Sequence, residues 1–326
     1  MITPAISSLR NTVFRAFTGS ALAVAVTFAA LPAQAQTKVI FGPSGGLSDN
    51  SLAVQVAIDE GYYKEAGIDA EVVAFKGGGP ALQALTSGAV QFCVCAPEHV
   101  IRMRSKGINL VVAYALNDRV PYVLLSAPDG GVSKLSDLKG KKVGITTPGS
   151  LTDNLVRLAL KREGIDADRN VEIVTLGAGA AHKAGIDTGN VAAGMLAGFD
   201  ALSMTESGYV PVVDWRQESV PALGLLATQE WLDENPDTAK AIAVATQRAT
   251  KLLLSDREVR VNALKKLFPE ISDELIQKGS DNLEKALNPT GHFDEQPFRT
   301  LEADLLELEP DLTPVDFAAA NPRLAP

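Results

Sequence analysis

Two cysteines, two tryptophans and three histidines are all that 326 residues carry of those types. One cysteine pair cannot build a disulfide-framed fold. Histidines at 99, 182 and 292 fall at no recognisable spacing from a nucleophile or a metal partner. Positive charge is also short, with 30 Lys and Arg against 39 Asp and Glu. A nucleic-acid binder needs the opposite balance against phosphates, and nucleic acid is excluded as a partner. Phosphate and dinucleotide loops are missing too. Gly77-Gly78-Gly79 is not followed by Gly-Lys-Ser/Thr, Gly42 and Gly45-Gly46 miss the dinucleotide spacing, and no Gly-x-Ser-x-Gly elbow occurs. These absences lead to no catalytic residue, no cofactor and no metal.

What is present is a globular composition, 46% hydrophobic and 21% charged, which rules out disorder, collagen and coiled coil. Arg10 and Arg15 precede an apolar stretch from Ala16 to Leu31, and Pro32-Ala33-Gln34-Ala35 follows. A basic start, an apolar middle and an Ala-x-Ala site predict a signal peptide over residues 1–35, and hence export to the periplasm. The stretch holds Thr18, Gly19, Ser20 and Thr27 and falls short of a membrane span. Roughly 290 residues remain, enough for one large domain or two lobes with separate cores. Cys93 and Cys95 lie two apart on a strand pattern, near the limit for bridging, so two buried thiols are expected rather than a disulfide. With His99 they form only a weak metal pattern, better explained by a filled core.

Ten short β-branched runs alternate with helical patterns, among them Lys38–Gly42, Ala70–Phe75, Val90–Cys95, Lys142–Thr146 and Val191–Leu196, and helices dominate after Thr228. The alternation predicts an α/β fold with mainly parallel sheets. It pauses around Arg119-Val120-Pro121 and again over Asp214–Pro221. Two such crossings predict a middle lobe inserted into an outer one. Lobe I then comprises residues 36–120 and 221–310, lobe II residues 121–220, and residues 311–326 a loosely packed C-terminal extension.

The segments after the strands are small and polar: Gly42-Pro43-Ser44-Gly45-Gly46-Leu47-Ser48-Asp49, Lys76-Gly77-Gly78-Gly79-Pro80, Ala96-Pro97-Glu98, Thr146-Thr147-Pro148-Gly149-Ser150-Leu151-Thr152-Asp153 and Gly177-Ala178-Gly179-Ala180. Ligands of α/β sheets meet free amides at such helix starts. Capping explains part of the pattern, since Ser48 and Ser150 suit N-cap positions and Asp153 suits a capping box. Glu98 either favours its helix dipole or faces a pocket and pairs with a cationic group. His182 is expected on a solvated helix face rather than in the cleft.

The run Ala57-Ile58-Asp59-Glu60-Gly61-Tyr62-Tyr63-Lys64-Glu65-Ala66-Gly67-Ile68 resembles a segment of exported solute receptors for ATP-driven importers. Gly77-Gly78-Gly79-Pro80-Ala81-Leu82-Gln83-Ala84-Leu85, Leu135-Ser136-Asp137-Leu138-Lys139-Gly140 and Pro148-Gly149-Ser150 extend the likeness over most of the mature chain. The set is similar to the aliphatic-sulfonate, taurine, nitrate and thiamine-precursor binding group of ABC-transporter periplasmic solute-binding proteins. That resemblance implies a two-lobed periplasmic binding protein of type II-like architecture, with a two-strand hinge. It implies a monomer that captures a small anionic or zwitterionic solute and delivers it to a membrane permease. Ligand contacts carried over by position fall on Ser44, Gly45, Gly46, Leu47 and Ser48, on Gly78 and Gly79, on Ala96, Pro97 and Glu98, and on Gly149, Ser150, Leu151 and Thr152. Phe199 would replace, as apolar wall, the Trp of many relatives. The competing expectation is an enzyme on the same scaffold, desulfinase-like or thiamine-pyrimidine-synthase-like. It would need a reactive side chain in the cleft, and the first loop has no cysteine.

Overall fold

The structure, a computed structural model, describes residues 36–46 and 48–326, so the expected leader and Leu47 lie outside the described residues. Ten strands form two five-stranded sheets. They are β1 (Thr37–Pro43), β2 (Ile68–Val72), β3 (Phe92–Cys95), β4 (Leu110–Arg119), β5 (Tyr122–Ser126), β6 (Lys142–Ile145), β7 (Glu172–Thr175), β8 (Ala193–Ala197), β9 (Val210–Asp214) and β10 (Ser219–Thr228). The first sheet has the order β2-β1-β3-β10-β4 and the second β7-β6-β8-β5-β9. Both are mixed in their pairing, and four of the five strands in each run in one direction, as expected of mainly parallel sheets. In each a parallel trio is joined to one reversed strand, β10 or β5, which pairs antiparallel on both sides. The reason is the crossings. Strand β4 at the edge of the first sheet runs through Val120-Pro121 into β5, and β9 at the edge of the second runs through residues 215–218 into β10.

Helices cover both faces of each sheet, which is why β3 and most of β4 are buried along their length. The period of two is visible in β3. Phe92 and Val94 enter the cluster under the Leu52–Asp59 and Pro236–Ser255 helices, while Cys93 and Cys95 join Leu85, Ile101 and Phe298 on the other face. In the second sheet Val143, Ile145 and Met195 pack with Val156 and Leu160, and Val123, Leu125 and Leu196 pack with Ile186 and Met204. Strand β2 begins two residues earlier than its β-branched run suggests. Its register on β1, Thr37 opposite Ile68 through Phe41 opposite Val72, overrides local propensity.

Two expectations are corrected. Cys93 and Cys95 are joined as a disulfide, with Cα atoms 5.3 Å apart. The strand is contracted there from the ~6.6 Å of two fully extended residues and falls within the bridging range. The C-terminal extension is anchored rather than loose. Ala320 and Asn321 are buried, Asn321 Nδ2 donates to the Phe293 carbonyl at 2.9 Å, and Phe317 stacks edge-on against Phe298. Asp316 caps the short Phe317–Ala320 turn. Among the described residues no helix is long and apolar enough to cross a membrane.

Candidate functional site

Strands β1, β6, β7 and β8 all point their carboxyl ends at the space between the two sheets. A cavity of about 210 Å³ lies there. Gly45, Ser48, Asp49 and Asn50 line it from the segment after β1, with Phe268, Glu270 and Ile271 beside them. From the second sheet come Tyr122, Thr146, Ala178, Gly179 and the run Met195–Asp200. The lining carries Asp49, Asp200 and Glu270 and no Lys, Arg or His.

Asp49 accepts a hydrogen bond from the Asn50 amide at 3.1 Å and meets the start of the Gly198–Glu206 helix. A Cβ on Gly198 would stand 2.7 Å from Asp49 Oδ1, and Gly198 has φ +54°, so glycine is required there twice over. Burial pushes the Asp49 carboxyl up to about 6, and the Asp200 charge adds to it. Burial also raises Asp200. The Tyr122 hydroxyl is pushed up to about 12 by burial and then by the Asp49 charge. The helix dipole favours the ionised form of Asp49, but no cationic side chain among the lining residues neutralises it.

Beyond Thr146 lies a triangle of hydroxyls. Thr146 Oγ1, Ser150 Oγ and Thr152 Oγ1 are 2.8–2.9 Å from one another, and all three residues are buried. Ser150 caps the Leu151–Arg162 helix. The reach-back from Asp153 goes one residue further than the capping-box pattern, to the Gly149 amide at 2.8 Å. Across the gap stand the three glycines after β2. Gly79 donates its amide to Thr147 Oγ1 at 3.3 Å, and a Cβ on Gly77 would lie 2.5 Å from the Thr147 methyl. A Cβ on Gly78 would lie 2.7 Å from His99 Nε2 and 3.6 Å from Ser150 Cβ. His99 is buried and neither ring nitrogen has a hydrogen-bond partner. Burial, and then the Arg102 charge, lowers its pKa to about 3, so the ring is neutral.

Behind this contact Arg102 ties the sheets together. It donates to the Gly149 carbonyl at 2.7 Å, to Asn154 Oδ1 at 2.6 Å and to Glu309 Oε1 at 2.7 Å. Glu98 joins through Asn154 Nδ2 at 3.5 Å, its other oxygen is unpartnered, and burial raises its pKa.

The residues expected at the site are thus distributed. Gly45, Ser48 and Phe199 line the 210 Å³ cavity. Gly78, Gly79, Ser150 and Thr152 sit at the glycine–hydroxyl contact beside it. Ser44 and Gly46 give their amides to the Val94 and Phe75 carbonyls, and Ala96 and Pro97 are buried at the end of β3. Glu98 and Leu151 line a second space of about 270 Å³ beside Trp215, and Gly149 borders a third next to Arg157. His182 is not solvated. It is buried, bonded through Nε2 to the Gly177 carbonyl at 2.7 Å, because Gly144 and Gly194 leave room for its ring. Asp49 and Tyr122 were not singled out as contacts by sequence, Asp200 ended the expected contact run Ala197-Gly198-Phe199-Asp200, and His99 was weighed only as part of a weak metal pattern. The available signal for Asp49 was an acid directly following a small-residue loop at a helix start. Among the described residues no group of three or more His, Cys, Asp or Glu is disposed to hold a metal ion.

The family model described as "NMT1/THI5 like" matches residues 48–258. A binding protein of Brucella abortus (strain 2308) is 26% identical over 271 residues, covering 76% of this chain and 77% of that one. The formylaminopyrimidine-binding protein of Halalkalibacterium halodurans is 24% identical over 260 residues, with 76% and 77% covered. Among solved structures, the alkanesulfonate-binding protein SsuA of Xanthomonas axonopodis pv. citri, bound to MOPS, superposes with a TM-score of 0.70 at 18% identity, covering 87% of this chain and 97% of that one.

Proposed function

The chain belongs to the NMT1/THI5-like family and has the periplasmic binding protein fold, and from that premise we propose that it is the substrate-binding component of an ABC importer, capturing a small organic solute between its two lobes. The single observation that carries this reading is the 210 Å³ cavity, lined from both sheets at the carboxyl ends of their strands. Residues 36–120 and 221–310 act as one lobe and 121–220 as the other. Contacts made from both lobes favour the closed arrangement and shift the population toward it. The closed receptor then docks, as a monomer, on a permease in the membrane. Residues 1–35 direct export to the periplasm and are removed, and residues 311–326 extend the first lobe.

The chemistry of the lining selects the solute. Three carboxylates without a basic side chain repel a simple anion and welcome an amine or an amino-substituted ring. The anionic or zwitterionic expectation therefore narrows to a solute with a cationic or N–H donor end.

Thermal unfolding across a panel tests the proposal, because a ligand of the folded state alone stabilises by about 2.7 kcal/mol at a hundred times its Kd. Taurine, small amino acids and aminopyrimidines are expected to raise Tm by several degrees, and ethanesulfonate and nitrate to leave it unchanged. Stabilisation by the simple anions alone would break the charge assignment, and conversion of a bound compound during incubation would break the capture reading.

A further inference from the structure

A helix packed on a sheet needs one apolar stripe. The Leu151–Arg162 helix carries two. Val156 and Leu160 fill the core beside the second sheet. Leu151, Leu155 and Leu158, spaced by four and then three, line the 270 Å³ space beside Trp215 instead. Facing them from the other lobe, the Glu295–Leu308 helix brings Leu301, Leu305 and Leu308 to the same space at the same spacing. Trp215 and Val220, at the second crossing, complete the apolar wall. This space shares no lining residue with the 210 Å³ cavity, so the two are separate.

The polar part of the wall is acidic. Glu98 lines the space and is 3% exposed. Its Oε1 meets Asn154 Nδ2 at a long 3.5 Å, and its Oε2 has no partner. A buried carboxyl with an unfilled oxygen calls for a donor that the fold itself does not supply. Arg102 lies close enough to favour the charged form, but its guanidinium is engaged by Glu309, Asn154 and the Gly149 carbonyl. Arg162, the basic residue of the lining, pairs with Asp304. Glu163 and Glu218 add further negative charge to the wall. We propose that this space is a second binding site, for a hydrophobic primary amine, whose ammonium donates to Glu98 and whose hydrocarbon part lies between the two leucine stripes. A mostly apolar cavity with one placed charge is the usual form of a small-molecule site. An anion of the same shape is repelled by the carboxylates, and a neutral compound gives up the charged hydrogen bond. Because the walls come from both lobes, an occupant here holds the lobes together without entering the solute cavity. The site stands apart from the solute-capture reading and does not depend on it.

The chain has two tryptophans, Trp215 at the site and Trp231 packed edge-on against Phe92. In Trp231→Phe, tryptophan emission reports Trp215 alone, and calorimetry on the unsubstituted protein supplies an independent Kd. Titration with n-butylamine and n-hexylamine is expected to change the emission saturably. Hexylamine should bind about tenfold tighter or more, since each buried methylene adds roughly fourfold. Hexanoate should leave the emission unchanged. Glu98→Gln, close to isosteric, should weaken hexylamine about tenfold or more. Leu158→Lys, on the half-buried face of its helix, places an ammonium in the space and should abolish binding. Asp49→Asn, in the separate cavity, should alter the Kd less than about twofold. An absent or unsaturable response overturns the second site, as does equal affinity for hexanoate. Loss of the response in Asp49→Asn but not in Glu98→Gln also overturns it and puts the amine in the solute cavity. None of these results decides solute capture, which stands or falls on the thermal panel.

Discussion

The two sides of the cleft are built on opposite principles. On one, Gly77, Gly78 and Gly79 let the lobes touch directly through Thr147 and Ser150, and Arg102 fastens them with two hydrogen bonds, to Gly149 and Asn154. On the other, Asp49, Asp200 and Glu270 surround a space that the protein's own side chains do not neutralise. Closure on the first side is satisfied internally, whereas the second side has charge left for a guest. A receptor needs both. Without the first, closed conformations would have no protein–protein contacts to build on, and without the second, closure would not depend on the solute.

The largest effect is expected from breaking the fastened side. Arg102 is 6% exposed, and Arg102→Ala strands Asn154 and the Gly149 carbonyl. A loss of about 3 kcal/mol in urea unfolding is expected, near the lower end for a broken buried pair because Glu309 is half-exposed. A loss below about 1 kcal/mol would mean the lobes do not rely on this contact. Gly77→Ala drives a methyl into Thr147 at a φ of +154°. The closed form should lose about 1–2 kcal/mol, read as a roughly tenfold weaker solute affinity and a larger radius of gyration in solution scattering with solute present.

Asp49→Asn tests the charged side, and its sign is the opposite. The folded carboxyl titrates near 6 against an ordinary 3.8. The native state therefore holds a proton that the unfolded chain has released, and stability falls as pH rises from about 4 to 6. Removing the charge should raise stability at pH 7 by about 1 kcal/mol, after discounting for the residue's partial exposure, and flatten the profile across that window. Affinity for amine-bearing solutes should drop. A stability gain without loss of affinity would show that Asp49 does not face the solute. The smallest effect belongs to Lys278, which pairs with Glu206 across the lobes at the exposed surface. Lys278→Ala should cost no more than about 0.5 kcal/mol, and added salt should erase the difference.

Most of the architecture was legible because its signals are local. The ten strands, the two crossings at Val120-Pro121 and 215–218 and the late helices follow from periodicity and from Gly and Pro placement. The reversed strands were hidden, because nothing in Tyr122–Ser126 or Ser219–Thr228 records the direction of a neighbour. The strand contraction that lets Cys93 and Cys95 bond was hidden for a similar reason, being set by packing. At the site, the small-residue loops were visible and their division of labour was not. Asp49 and Gly198 are 149 positions apart in the chain and meet only in the folded structure. His99 read as core because burial and an apolar neighbourhood look alike in sequence. What sets it apart is a missing hydrogen bond, visible only in three dimensions.

The position of β10 between β3 and β4 has a consequence for synthesis. When β3 and β4 leave the ribosome, the strand that must separate them is still about a hundred residues away. The middle segment, whose five strands are contiguous in sequence, can be assembled while the first sheet waits with two unpaired edges. Mutations that slow or derail the middle segment should therefore appear first as aggregation of the nascent outer one.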